Sequence, residues 1–217
     1  LCADASLPIN SYMAFVDLAL PSLVERSLAI DQVRSLLDRS AALEASIFML
    51  CPGSTKEGFE ISELRKYMIE ALAKCATHAE SIGIVLAFEN IDYPPWRPLH
   101  GKGTDCREIC DAVNSPALRL ICDVCASLFV GENPIDILRI MEPYLVNVHI
   151  KNSRPIMPHE RVLRYRKTDS GLKLTGTVLD GGLVNVPEVL DELKRINYDG
   201  YLLIEYQGES DPRAALK

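Results

Sequence analysis

Four side chains able to bind a hard cation or carry a proton sit at the ends of apolar runs. Glu89 closes IVLAFE, Asp123 closes LRLICD, His149 lies near the end of LVNVHIK, and Glu205 closes YLLIE. A carboxylate where a buried run meets a polar loop is costly unless it is exposed, paired or bound to a metal. Taken singly, each residue has an ordinary explanation: a solvated or salt-bridged Glu, an Asp capping the next helix, a hydrogen-bonded core His. Taken together they occupy corresponding positions of successive strand–helix units. Three carboxylates converging on one point would raise one another's pKa unless a cation neutralised them. Oxygen donors with one imidazole suit a single divalent ion such as Mn, Mg, Co or Zn.

Positioning such a set requires parallel strands whose carboxyl ends share one mouth. The run Ile84–Phe88 is short, apolar and rich in β-branched and aromatic residues, as in a strand buried on both faces. Further strands are expected at Leu1–Leu7, Ala45–Cys51, Leu118–Asp123, Val146–Lys151 and Tyr201–Glu205. Between them, Val24–Leu43 reads as an amphipathic helix, with Leu28, Val33, Leu36, Leu37 and Leu43 apolar among charges. Ser62 is placed to cap a helix running to Ser81. A shorter helix is expected over Asp105–Val113. Asn133, Pro134 and Asp136 open another, which reaches about Tyr144. Asn185, Pro187 and Glu188 open the last, ending near Ile196. The segments Ile91–Thr104 and Asn152–Gly182 read as long loops, and long loops often carry function. Strand and helix alternate throughout, without an Asn-Gly hairpin signal, which defines an α/β chain.

The chain has 217 residues, 48% hydrophobic and 24% charged, enough for one domain with a substantial core. A formal net charge of −7 and the absence of a long basic run argue against nucleic acid as a partner. The apolar runs are too short to span a bilayer, so no membrane association is expected. Seven scattered cysteines suggest free thiols in a reducing compartment, hence a cytoplasmic protein. Cys122 and Cys125 form a C-x-x-C, but Cys122 lies inside a strand run. Burial as small apolar residues is the simpler reading.

LAFEN, ICDVCASLFVGENP, VNVHIKNSRP and LDGGLVNVPEVLDELKRINYDGYLLIEYQG resemble the xylose isomerase-like barrel superfamily, specifically its sugar phosphate isomerase/epimerase group. The resemblance runs from about Ala45 to the C-terminus and more weakly through Leu1–Pro8. It implies a (β/α) TIM barrel and a divalent metal held by Glu89, Asp123, His149 and Glu205. It also implies that Glu89 and Glu205 act as acid and base across a substrate carbon. The metal would stabilise the enediolate of a small polyhydroxylated carbonyl compound. The implied partner is therefore a small carbohydrate, and a homo-oligomer stays open. Lys151 follows His149 by two and should face the same way. Lys151, Arg154, His100 and Trp96 are the candidate substrate contacts. The chain departs from the group's pattern at Ala126, where many epimerases carry His and other relatives Asn. It departs again at Asn152, where many relatives carry Asp. Three other readings share these residues: an inosose-type dehydratase, an endonuclease IV-like hydrolase, and a barrel that binds sugar without turnover. The hydrolase would need more histidines than the four present.

Six strand candidates fall short of the eight in a closed barrel, which usually takes about 250 residues. The resemblance places the Glu205 strand last and so implies that residues 1–217 form a single domain lacking the first two β/α units, an open arc edged by Leu1–Leu7 and Tyr201–Glu205.

Overall fold

The computed structural model describes residues 4–215. Six parallel strands form one sheet: β1 (Ser11–Phe15), β2 (Ile47–Cys51), β3 (Val85–Glu89), β4 (Leu118–Asp123), β5 (Leu145–Ile150) and β9 (Tyr201–Ile204), in that spatial order. Each strand pairs with the next in parallel register, with one irregularity between β4 and β5 at Leu120/Ile121. The sheet curls into an incomplete barrel. Asn147 of β5 donates to Asn10, just before β1, at 2.9 Å, although the two residues lie on different sides of the arc. Among the described residues, β1 and β9 are its unpaired edges, and they expose Met13, Phe15, Tyr201, Leu202 and Ile204.

Helices cover the convex face: α1 (Leu23–Ala42), α2 (Ile61–Ser81), α4 (Gly103–Val113), α5 (Pro134–Met141) and α6 (Val186–Arg195), each packed on the next. A single turn, α3 (Arg97–His100), precedes α4, and α7 (Pro212–Ala215) closes the described chain. The main core lies between sheet and helices, where Phe48, Leu50, Leu86, Phe88 and Leu118 are fully buried. Burying each such side chain contributes roughly 1.5–3 kcal/mol. A smaller cluster, Ile47, Met49, Ala87 and Ile121, fills the concave face below the site. Helix starts follow the expected capping chemistry. Asn133 accepts from the Ile135 amide at 2.8 Å, and Asn185 from the Glu188 amide. Ser62 does not cap α2; that position is Glu60, without a side-chain hydrogen bond. Among the described residues, no helix is long and apolar enough to cross a membrane.

Two expectations are corrected. The first strand is Ser11–Phe15, not Leu1–Leu7. Residues 1–3 lie outside the described residues, and 4–6 form a turn with Ser6 at φ 53°, a left-handed backbone that a strand does not admit. The strand instead follows Pro8, where Tyr12 packs on Phe48 at 5.8 Å between ring centroids. The second correction is that Asn152–Gly182 is not a plain loop. It holds a three-stranded antiparallel sheet: β6 (Asn152–Pro155), β8 (Lys173–Thr177) and β7 (Arg166–Lys167), in that order. β7 and β8 join through a hairpin in which Gly171 adopts φ 88° and Thr168 Oγ1 accepts from Leu172 N. Asn152 ties this segment down. Its amide donates to the carbonyls of Leu179 and Val184, and its oxygen accepts from Ser153 N and Val184 N. An aspartate there would lose both donors and bury a charge, which gives the Asn at this position a physical reason.

Candidate active site

The carboxyl ends of the strands open on a cavity of about 510 Å³. One wall is charged, with Glu89, Asp92, Asp123, His149, Lys151, Arg166 and Glu205. The other carries Met13, Phe15, Met49, Tyr93 and Trp96. Trp96 packs at a tilt between Phe15 and Tyr93, at centroid distances of 6.3 and 5.0 Å.

Glu89 is the last residue of β3 and His149 the penultimate residue of β5, while Glu205 directly follows β9. Each offers a ligand atom within 4.8 Å of the others. His149 Nδ1 lies 2.6 Å from Glu89 Oε1. This close pair holds Glu89 Oε1 against the imidazole, whereas His149 Nε2, also buried, has no partner. Burial disfavours charge on His149, but Glu89, Asp123 and Glu205 outweigh it and raise the imidazole's pKa.

Asp123 lies beside this triad, paired in register with His149, but its carboxylate is turned to other partners. Oδ1 accepts from the Cys125 and Ala126 amides at 2.9 and 3.1 Å, and Oδ2 meets Lys151 Nζ at 2.5 Å. Asn90 clamps the Asp123 backbone in both directions at 2.8 and 2.9 Å, fixing β3 to β4 at the site. Burial pushes the Asp123 carboxyl upward, against Lys151. Burial would also strip Lys151 of its proton, but Asp123, Asp92, Glu205 and Glu89 together hold its ammonium well above the usual range. Asp92 lies 3.6 Å and Glu205 3.5 Å from Lys151 Nζ.

His100 and Arg154 do not line this cavity. His100 is wholly buried behind it, with Nδ1 2.9 Å from the Glu89 carbonyl and Nε2 3.3 Å from that of Gly53. Burial lowers its pKa. It braces the backbone that carries Glu89. Arg154, on β6, grips Glu160 through both terminal nitrogens at 2.5 and 2.8 Å and faces a separate depression. Three polar or charged residues absent from the sequence reading line the cavity: Asp92, Arg166 and Gln207. Gln207 lies past the end of β9, so strand alternation does not reach it. Ala126 is fully buried at the start of a 3-10 turn, leaving no polar side chain there.

The cavity thus holds four carboxylates against two fixed cations, Lys151 and Arg166. The residual negative charge, the unpartnered His149 Nε2 and the mixed oxygen–imidazole donor set all fit a divalent cation.

Cys122 and Cys125 are fully buried. Burial pushes the Cys125 thiol up to about 12, and it donates to Ser153 Oγ at 3.3 Å. Neither is poised as a nucleophile. Cys122→Ala and Cys125→Ala are each expected to leave turnover largely unchanged, at a stability cost of about 1 kcal/mol. Paired activity and urea-unfolding assays check this, and a large loss of turnover with stability preserved would restore a role for the thiols.

The chain belongs to the xylose isomerase-like TIM barrel family, whose model matches residues 1–217. A curated relative, an uncharacterized protein of Methanocaldococcus jannaschii, is 25% identical over 205 residues, covering 91% of this chain and 64% of that protein. The chain thus spans less than two thirds of that relative's length. Among solved structures, the 3-keto-D-glucoside 4-epimerase of E. coli superposes with a TM-score of 0.75 at 17% identity, covering 99% of this chain and 78% of its own. A D-tagatose 3-epimerase-like protein gives 0.76 at 19% identity, with 99% and 75% covered. The IolI protein, solved with a zinc atom, gives 0.72 at 18% identity, with 91% and 67% covered. At these identities the likeness establishes the fold.

Proposed function

We propose that this protein is a divalent-metal-dependent isomerase or epimerase acting on a small polyhydroxylated carbonyl compound. The observation that carries the reading is the convergence of Glu89, His149 and Glu205, with the buried His149 Nε2 left unpartnered. Epimerases and a zinc-bound protein of the same fold support it. Glu89, His149 and Glu205 would hold the ion, with Asp123 joining on release from Lys151. A bound divalent cation would supply Lewis-acid stabilisation of the negative charge that develops on the substrate oxygens.

The remaining chemistry belongs to this chain. Glu89 and Glu205 reach the cavity from strands separated by β4 and β5, so they approach a bound substrate from different sides. One carboxylate removes the proton from the carbon beside the carbonyl, and the other carboxylic acid returns one to the opposite face. The Lys151 ammonium donates to a substrate oxygen, and Trp96 packs on the apolar C–H face of the substrate while excluding water.

Metal analysis of the purified protein, followed by proton exchange in heavy water against ketoses and inososes, tests the reading. Metal-dependent incorporation of deuterium beside the carbonyl is expected, abolished by EDTA and restored by a divalent ion. Loss of water from the substrate would assign a dehydratase instead, and exchange insensitive to EDTA would exclude the metal role.

A further inference from the structure

Glu205 differs from its neighbours in how it is held. The side chains of Glu89, Asp123 and His149 are 10%, 2% and 9% exposed, whereas that of Glu205 is 40% exposed, just past the end of an edge strand. Burial does not orient it. Beside the Lys151 ammonium, 3.5 Å from one oxygen, a chain of polar contacts holds the other. Gln207 Nε2 donates to Glu205 Oε1 at 2.5 Å, Arg166 Nη2 donates to Gln207 Oε1 at 2.6 Å, and Arg166 Nη1 pairs with the buried Asp92. A guanidinium only donates and an ionised carboxylate only accepts. The amide between them therefore has one permitted orientation, with its oxygen to Arg166 and its nitrogen to Glu205. The backbone of Gln207 is seated as well. Position 176 on β8 lies so close to the Gln207 carbonyl that any Cβ there would collide with it, and the residue is Gly176. Arg166 on β7 and Gly176 on β8 both belong to the small antiparallel sheet.

We infer that Arg166 and Gln207 are positioning residues: anchored on Asp92, they aim the Glu205 carboxylate into the site, so that the antiparallel sheet completes a site built on barrel strands. The inference rests on the reading of Glu205 as a metal ligand and proton carrier. Partners of this kind behind a metal ligand typically change affinity by 10–100-fold.

The test uses Arg166→Met, Gln207→Leu and their double variant, with Mn²⁺ affinity by calorimetry, thermal melting, and a crystal structure of Gln207→Leu. Each single variant is expected to bind Mn²⁺ about tenfold more weakly with the melting transition retained. The double variant should bind no more weakly than the weaker single, because both cuts break one chain. In the crystal structure the Glu205 carboxylate should turn away from His149. Variants that bind Mn²⁺ like the wild type, or a Glu205 carboxylate that keeps its place, would overturn the inference. A wild type that binds no Mn²⁺ would overturn the metal reading instead, and the position of Glu205 in the variant crystal would still decide whether the relay orients it.

Discussion

Glu89→Gln is expected to lower turnover by about 10²–10⁴-fold, the usual worth of a positioned acid or base, with the fold intact. The substitution keeps the shape of the side chain but removes its charge and its capacity to accept a proton. Stability should change little, because the substitution gives up the charge pair with His149 but also relieves the repulsion of a carboxylate buried beside Asp123 and Glu205. Glu205→Gln should act alike on turnover, with a smaller effect on stability because this side chain is part-exposed. Far-UV circular dichroism and urea unfolding, measured beside the kinetics on the true substrate, separate the two effects. Near-wild-type activity in either variant would remove that glutamate from the proton-transfer role.

The second large effect concerns Lys151. Lys151 is 5% exposed, and its ammonium lies within 3.6 Å of Asp92, Asp123 and Glu205. Lys151→Met keeps most of the volume and deletes the charge, leaving Asp123 buried without its closest cation. Removing one partner of a buried pair is strongly destabilising, and a loss of about 3 kcal/mol is expected in EDTA. Protonation of Asp123, whose pKa burial already raises, limits the loss. Added Mn²⁺ should restore part of it, since a second positive charge then faces the acids. Urea unfolding with and without Mn²⁺ provides the measurement. Stability in EDTA equal to wild type would mean that Lys151 does not hold the acidic cluster together.

How much of this was legible in the sequence follows from what each feature depends on. Glu89, Asp123, His149 and Glu205 stood out because parallel strands place their ends on one rim, and apolar runs mark those ends. The spacing of His149 and Lys151 gave the side on which Lys151 would lie. The relay from Asp92 through Arg166 to Gln207 was invisible: Arg166 and Asp92 lie 74 positions apart and meet only because a hairpin folds back over the barrel. That hairpin carries no Asn-Gly signal, because its turn runs through Thr168–Gly171 rather than a two-residue connection. β1 was missed because its side chains are half-exposed, leaving little alternation to read. His100 and Arg154 adjoin the site only by their place in the sequence between strands, and such a position does not encode where a side chain points. That Asp123 pairs with Lys151 depends on which of two neighbouring charges sits nearer in space, which spacing alone does not decide.

Anomalous diffraction at the manganese edge, from crystals grown with Mn²⁺, tests the central claim most directly. One peak is expected at the carboxyl end of the sheet, at coordination distance, about 2.1 Å, from Glu89, His149 and Glu205. Asp123 should have turned from Lys151 to join them. A peak bound by other residues, or an ordered site with none, would contradict the account.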